Sequence, residues 1–279
     1  MGIISAIDVL RSSQSFKYFY TKVIGMEFST IHDLIYNATE FKRSVTQVAR
    51  GHGKTEMLSV CYPLWLAAFA KPKASGKPFH IVITSASLQQ SRSIMDRIKN
   101  KIDTVEMLQF LDPKSDVSDM VDGKGFESAS KRKRDNSLQL LTSNNVLIEA
   151  APFGPGLRGR HPDMIIMDDI LKDEENLAST VNEEKAWRTV SKVVIPMTET
   201  NDCKVIVVGT PMSLTDPLQR LSEDSSYFNQ KIPACSLDDE GALTTPVWKE
   251  RFTIEKLERI RETQGELAFQ QEYMLNPIG

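Results

Sequence analysis

The sequence predicts an α/β protein built on a mainly parallel sheet, and two patterns predict it. Short β-type runs, "SVTQVA" (44–49), "HIVITSAS" (80–87), "VLIEA" (146–150), "DMIIMDD" (163–169) and "CKVIVVGT" (203–210), alternate with helix-periodic stretches at 54–70, 87–111 and 182–196. Most of these runs are almost continuously apolar, as strands covered on both faces are. Strand–helix alternation of this kind gives a doubly wound domain.

Residues 1–40 read as helical, with Phe16, Tyr18, Phe19 and Tyr20 as apolar bulk. "SLQLLTSNNVLIEA" (137–150) has a polar turn at Ser143-Asn144-Asn145 between strand-like halves and predicts a hairpin. From about 236 the texture changes. "WKERFTIEKLERIRETQGELAFQQEYMLNP" (248–277) is charged and helix-periodic, with Thr253 as its N-cap. The expected division is a helical segment at 1–40, a core at 41–235 and a lid or linker subdomain at 236–279.

The chain of 279 residues is 41% hydrophobic and 25% charged, with net charge −3. That composition is globular, and its charge argues against a sticky polyanion binder while allowing local, reversible contact with DNA. Cys61, Cys203 and Cys235 form no C-x-x-C pair, which predicts reduced thiols and no zinc site. "LSVCYPLWLAAFA" (58–70) is too short to span a bilayer and contains Pro63. The N-terminus lacks the basic start of a signal peptide and has Ala6 where a myristoylation signal needs Ser or Thr. A cytoplasmic protein without membrane contact is expected.

"VTQVARGHGKTEML" (45–58) carries the strongest chemical signal. Its corner ends in Gly53-Lys54-Thr55, as a phosphate-binding loop does, but Val48 stands where the usual first glycine would be. A strand enters and a helix leaves, so backbone N–H groups and the helix N-terminus can face phosphates. In that reading Gly51 and Gly53 let the backbone approach, Lys54 reaches the β- and γ-phosphates of ATP, and Thr55 holds Mg²⁺. His52 and Glu56 complete the ATP-binding stretch; the bland alternative is a surface turn.

The other half of such a site is an apolar strand ending in acid, which "MIIMDD" (164–169) supplies. Asp168 would hold the Mg²⁺ shell while Asp169 orients the attacking water; a helix-capping pair is the plain alternative. "VIVVGTP" (205–211) puts Gly209 and Thr210 at the carboxyl edge of the sheet, where Thr210 could sense the γ-phosphate. A tight turn would explain the same residues.

Together these elements resemble the ATPase domain of the terminase large subunit of tailed bacteriophages, the motor that packages DNA. Its variant Walker A motif lacks the first glycine and carries an arginine where Arg50 stands in "ARGHGKT". "LRGRHPDMIIMDDI" (157–170) is similar to the family's L-R-G stretch before Walker B, "VVGTP" to its coupling motif, and 248–277 to the segment before its nuclease. The resemblance runs from about residue 28 onward. It implies a RecA-like P-loop fold of the additional-strand, catalytic-glutamate type, with a C-terminal helical lid. The expected partners are double-stranded DNA, the procapsid portal and the terminase small subunit in the host cytoplasm. A homo-oligomeric ring is expected on assembly and a monomer in isolation.

Two departures stand out. Asp169 occupies the place of the catalytic glutamate, so either it or Glu174 of "KDEEN" (172–176) does that work. The family's nuclease acids would lie past Gly279, so ATPase without cleavage is expected. Arg50 could neutralise γ-phosphate charge in cis. Arg158 is the preferred arginine finger in trans, with Arg160 a second candidate that an ordinary salt bridge would equally explain. "KRKR" (131–134) could touch DNA phosphates. Phe28 and His32 stand where this family often contacts adenine, though core packing would also account for them. A helicase-like ATPase, a small-molecule kinase and a non-catalytic nucleotide-gated assembly protein are the competing readings.

Overall fold

The computed structural model describes residues 5–71, 73–112, 136–171, 180–199 and 202–277. One sheet contains β1 (Arg43–Val48), β2 (Phe79–Ser85), β3 (Gln139–Leu141), β4 (Val146–Pro152), β5 (Met164–Asp168), β6 (Lys204–Gly209) and β7 (Phe228–Ile232). Their order is β3-β4-β2-β5-β6-β1-β7. Every neighbouring pair is parallel except the β3–β4 hairpin. The strand β6 therefore lies between β1 and β5, which defines the additional-strand arrangement. The fold is the expected α/β, RecA-like P-loop fold.

Alternate side chains explain the continuous apolar runs. Ile81, Ile83, Met164, Ile166, Ile206 and Val208 pack into one core layer, with Leu58, Leu64, Ile94 and Ile98 from covering helices. Val82, Ile165, Met167, Val205 and Val207 pack into the other, against Val190, Val193, Val194 and Met197. Both faces are buried, so neither set could be polar.

The N- and C-terminal segments share the first layer. Phe16, Phe19, Tyr20, Ile31, Trp248, Phe252, Leu257 and Phe269 all belong to it. Thr253 caps the helix Ile254–Gln264, its side chain accepting from Lys256 N–H.

Three features depart from the sequence expectation. The stretch 87–111 is a helix at Leu88–Thr104 and then a 3₁₀ turn at Glu106–Leu111, because Val105 takes an extended conformation. β7 is a further strand that the apolar pattern does not announce. A small antiparallel pair, β8 (Cys235–Leu237) and β9 (Leu243–Pro246), precedes the C-terminal helices. The segment after 236 is therefore not wholly helical.

After the loop at 49–54, a widened π-helical stretch at Thr55–Cys61 runs into the helix Tyr62–Phe69. Pro63 has no N–H to donate to Ser59 and its ring would crowd that carbonyl. The wider turn, with Tyr62 N–H donating to Met57, accommodates it.

Candidate nucleotide-binding site

β1 delivers the chain to a corner at 49–54 in which Gly51 (φ +76°) and Gly53 (φ +81°) are left-handed. A side chain there would be strained. The helix beginning at Thr55 leaves its first N–H groups without helical partners, so they are available to an anion.

The corner is packed from behind by the far end of the chain. A Cβ on Gly51 would lie 3.4 Å from Phe252, and one on Gly53 would lie 3.4 Å from His32 Nε2 and 3.7 Å from Trp248. The His52 ring stacks on Phe252 at 4.3 Å. Burial pushes the His52 pKa down to about 4. The ring is thus neutral at pH 7, and its Nδ1–H donates to the Arg50 carbonyl at 2.9 Å. Burial likewise pushes His32 down to about 4.

Parallel register brings the acids to the same edge, since Ser85 of β2 and Val208 of β6 both pair with Asp168 of β5. Thr55 Oγ1 donates to Asp168 Oδ1 at 3.2 Å and Ser59 Oγ to Asp168 Oδ2 at 2.7 Å. Burial, then the neighbouring Asp169, raises the Asp168 pKa, while Lys54, Ser59 and Thr55 act against that rise.

Asp169 is itself left-handed, with φ +45°. Its carboxylate accepts the Thr210 N–H at 3.1 Å and pairs with the Lys54 ammonium at 3.0 Å. Lys54 also donates to Thr210 Oγ1 at 3.1 Å, and that hydroxyl donates to the Val48 carbonyl at 2.9 Å. Gly209 keeps this contact open, because a Cβ would sit 3.2 Å from Asp169 Oδ1 and 3.3 Å from Leu218 and press on that carboxylate.

The structure thus brings together Lys54, Thr55, Asp168, Asp169 and Thr210. Beside them opens a cleft of about 630 Å³, bounded by Lys54, Asp169 and Thr210 together with Arg50, Ser87, Gln90 and Glu272, with Thr55 and Asp168 set behind its wall. Its size suits a bound small molecule.

Other predicted residues lie elsewhere or carry other contacts. Arg50 lines the cleft, but its Nη1 pairs with Glu272 Oε1 at 2.5 Å. Glu56 does not line it; it pairs with Arg97 and, at 2.8 Å, with Lys101. Burial opposes ionisation of Glu56, and Lys101 and Arg97 outweigh it and hold its pKa below the ordinary value.

Phe28 packs against Tyr20 and His32, and His32 lies edge-on to Trp248 at 4.7 Å. Neither lines the cleft. Arg158 is exposed, and its guanidinium bonds to no described residue. Arg160 instead pairs with Glu149 at 2.9 Å. Glu174 and the basic cluster at 131–134 lie outside the described residues.

Sequence reasoning missed Ser59, Glu272, Trp248 and Phe252. Only Ser59 had a local signal, a hydroxyl four positions after Thr55.

The donor set fits magnesium. Thr55 and Asp168 present hard oxygen donors side by side, and Mg²⁺ is usually held by one or two such groups plus phosphates and water. Among the described residues no helix is long and apolar enough to cross a membrane, and all three cysteines are free and buried.

A loop between β1 and a helix, facing an acid-tipped β5 across β6, defines the P-loop class of additional-strand proteins. Within that class the chain resembles the ATPase domain of phage terminase large subunits. It is 25% identical over 262 residues to the "Terminase, large subunit" of Enterobacteria phage T3, a match covering 85% of this chain and 41% of that protein. Less than half of that relative's length is thus represented.

The fold is that of the Thermus phage P74-26 large terminase ATPase domain, at TM-score 0.58 and 18% identity, covering 94% of this chain and 97% of that one. A point mutant of the same domain matches with TM-score 0.58 and 17% identity over 94% and 98% of the two chains. The HK97 bacteriophage large terminase matches at TM-score 0.52 and 12% identity, covering 91% of this chain and 51% of its own. No protein-family model matches the sequence.

Proposed function

We propose that this chain is the ATP-hydrolysing motor domain of a viral DNA-packaging machine. One observation carries the reading. Lys54, Thr55, Asp168, Asp169 and Thr210 converge beside one cleft in a chain whose similarity is to terminase large subunits.

In the proposed mechanism, the N–H groups of the 51–55 turn cradle the phosphates and Lys54 leaves Asp169 to reach the γ-phosphate. Thr55 and Asp168 would hold Mg²⁺, whose charge offsets that of the β- and γ-phosphates. Ser59 fixes the second oxygen of Asp168. Asp169, released from Lys54 but still tied to Thr210 N–H, orients the attacking water. Loss of the γ-phosphate is then felt at Thr210 and β6.

Arg158 lies off its own chain's cleft, on the loop after β4. It is assigned as the finger that completes a neighbour's site in a ring. Double-stranded DNA is the translocated substrate, and the portal and small subunit are the docking partners, in the host cytoplasm.

The test is phosphate release from ATP by the chain, with and without double-stranded DNA. The reading predicts Mg²⁺-dependent hydrolysis stimulated by DNA and abolished in Lys54→Ala. Nucleotide binding without hydrolysis under every assembly condition would instead support a nucleotide-gated assembly protein.

A further inference from the structure

We infer that Glu149 and Arg160 are positioning residues that staple the loop 154–160 so that Arg158 is presented to a neighbouring copy of this chain. The inference rests on the trans role assigned to Arg158 above.

The loop "GPGLRGR" has three glycines, and a Cβ at Gly154, Gly156 or Gly159 would meet nothing within 4 Å. Left alone, such a segment would spread over many conformations, which ordering it would have to overcome. Two anchors prevent this. Leu157 is fully buried. Arg160 donates through Nε to Glu149 Oε1 at 2.9 Å and through Nη1 to the carbonyl of Gly156, closing the loop on itself.

Glu149 is a firm post for the staple. It sits within β4, paired with Val82 on one side and Gln139 on the other. Its second oxygen meets His80 Nε2 at 3.1 Å, and its side chain is 9% exposed. Burial works against its ionisation, but His80 and Arg160 outweigh that and hold its pKa at about 2. It therefore binds Arg160 as a carboxylate, in a strong charge-assisted bond. Arg158 lies between the two anchors, the one side chain there that is charged, exposed and unbonded among the described residues.

Misplacing a reacting group by about 1 Å can cost on the order of 10²-fold in rate. The staple should therefore matter to the chain that gives Arg158 and not to the chain that receives it. The test mixes an acceptor, Arg158→Ala, with a donor, Lys54→Ala, at concentrations where wild-type turnover per chain rises. Neither hydrolyses ATP alone, and the mixture should.

Adding Glu149→Gln to the donor should lower the mixture's rate by about 10²-fold. Adding it to the acceptor should leave the rate unchanged. Arg160→Met in the donor should act like Glu149→Gln, and it carries the test if thermal melting shows Glu149→Gln to be unfolded. A Glu149→Gln donor as effective as the simple donor, or equal losses from donor and acceptor, overturns the positioning role and leaves the trans reading standing. A dead mixture with the simple donor overturns both.

Discussion

Two glycine-rich turns follow β1 and β4, and their surroundings are opposite. At 49–54 the glycines are packed: Phe252, Trp248 and His32 stand at van der Waals distance from where a Cβ would be. At 154–160 the glycines face open space. The first turn also spends its basic groups internally, with Lys54 on Asp169 and Thr210 and Arg50 on Glu272. The second leaves Arg158 unbonded to any described residue. A packed turn suits a cradle whose N–H groups must already point at a ligand. An open turn whose cation bonds to no described residue suits a group that acts on another molecule. On the proposed function, this difference separates a cis half built within the chain from a trans half that Arg158 would supply to a neighbour.

The largest expected effect comes from removing the cradle's cation. Lys54→Ala should cut ATP hydrolysis by at least about 10²–10³-fold with the fold intact, as does loss of a main charge-stabilising donor elsewhere. Wild-type turnover in that folded variant would break the comparison at its root. Next comes the carboxylate. Asp169→Asn should bind ATP and lose hydrolysis by a similar order, with Glu174→Gln nearly silent; the reverse pattern would move the role to Glu174. Equilibrium binding beside single-turnover rates separates the two.

A smaller effect probes the turns themselves. Gly53→Ala must adopt a left-handed backbone at roughly 1–2 kcal/mol and press on His32, so it should weaken nucleotide binding and lower the melting temperature. Gly156→Ala meets nothing and should stay within about 0.5 kcal/mol in stability. Equal losses would show that packing behind the corner is not what distinguishes it.

The smallest effect is pH dependence. His52 is held neutral, with a pKa moved from 6.5 to about 4. The unfolded chain therefore takes up its proton first as pH falls. Its contribution to stability is full above pH 6.5 and declines toward pH 4, by up to about 3 kcal/mol. Glu149 runs the same way at lower pH, from 4.5 down to about 2. Its contribution is full above pH 4.5 and is lost as pH falls through 2. Asp168, raised by burial, gains stability as pH falls and offsets part of the His52 decline. The His52 share is therefore read as a difference: between pH 6.5 and 4.5, His52→Gln should flatten the fall seen for wild type in denaturant melts.

The sequence disclosed the parts that are locally encoded. Nearly continuous apolar runs mark β2, β4, β5 and β6, because strands covered on both faces have no polar side to interrupt them, and β1 is marked instead by its β-branched residues ahead of the glycine corner. β7 is hidden because "FNQKI" is an edge strand whose Asn229 and Lys231 are exposed. Lys54, Thr55 and Asp168 follow from motif chemistry. The backing of the P-loop does not, since Trp248, Phe252 and Glu272 come from some 200 residues later and only folding brings them there. His32, where the family often contacts adenine, has its ring under Gly53, in the aromatic layer with Tyr20 and Trp248.

The division between a built cis half and a displayed trans half is tested most directly by ATP turnover per chain as a function of chain concentration, for wild type and Arg158→Ala, with nucleotide affinity measured alongside. An arginine stabilising transferring-phosphoryl charge is worth about 10³–10⁵ in rate. Wild-type turnover should therefore climb steeply as chains meet, Arg158→Ala should stay flat, and both should bind nucleotide equally. Turnover that is independent of concentration and unchanged in Arg158→Ala would contradict the account.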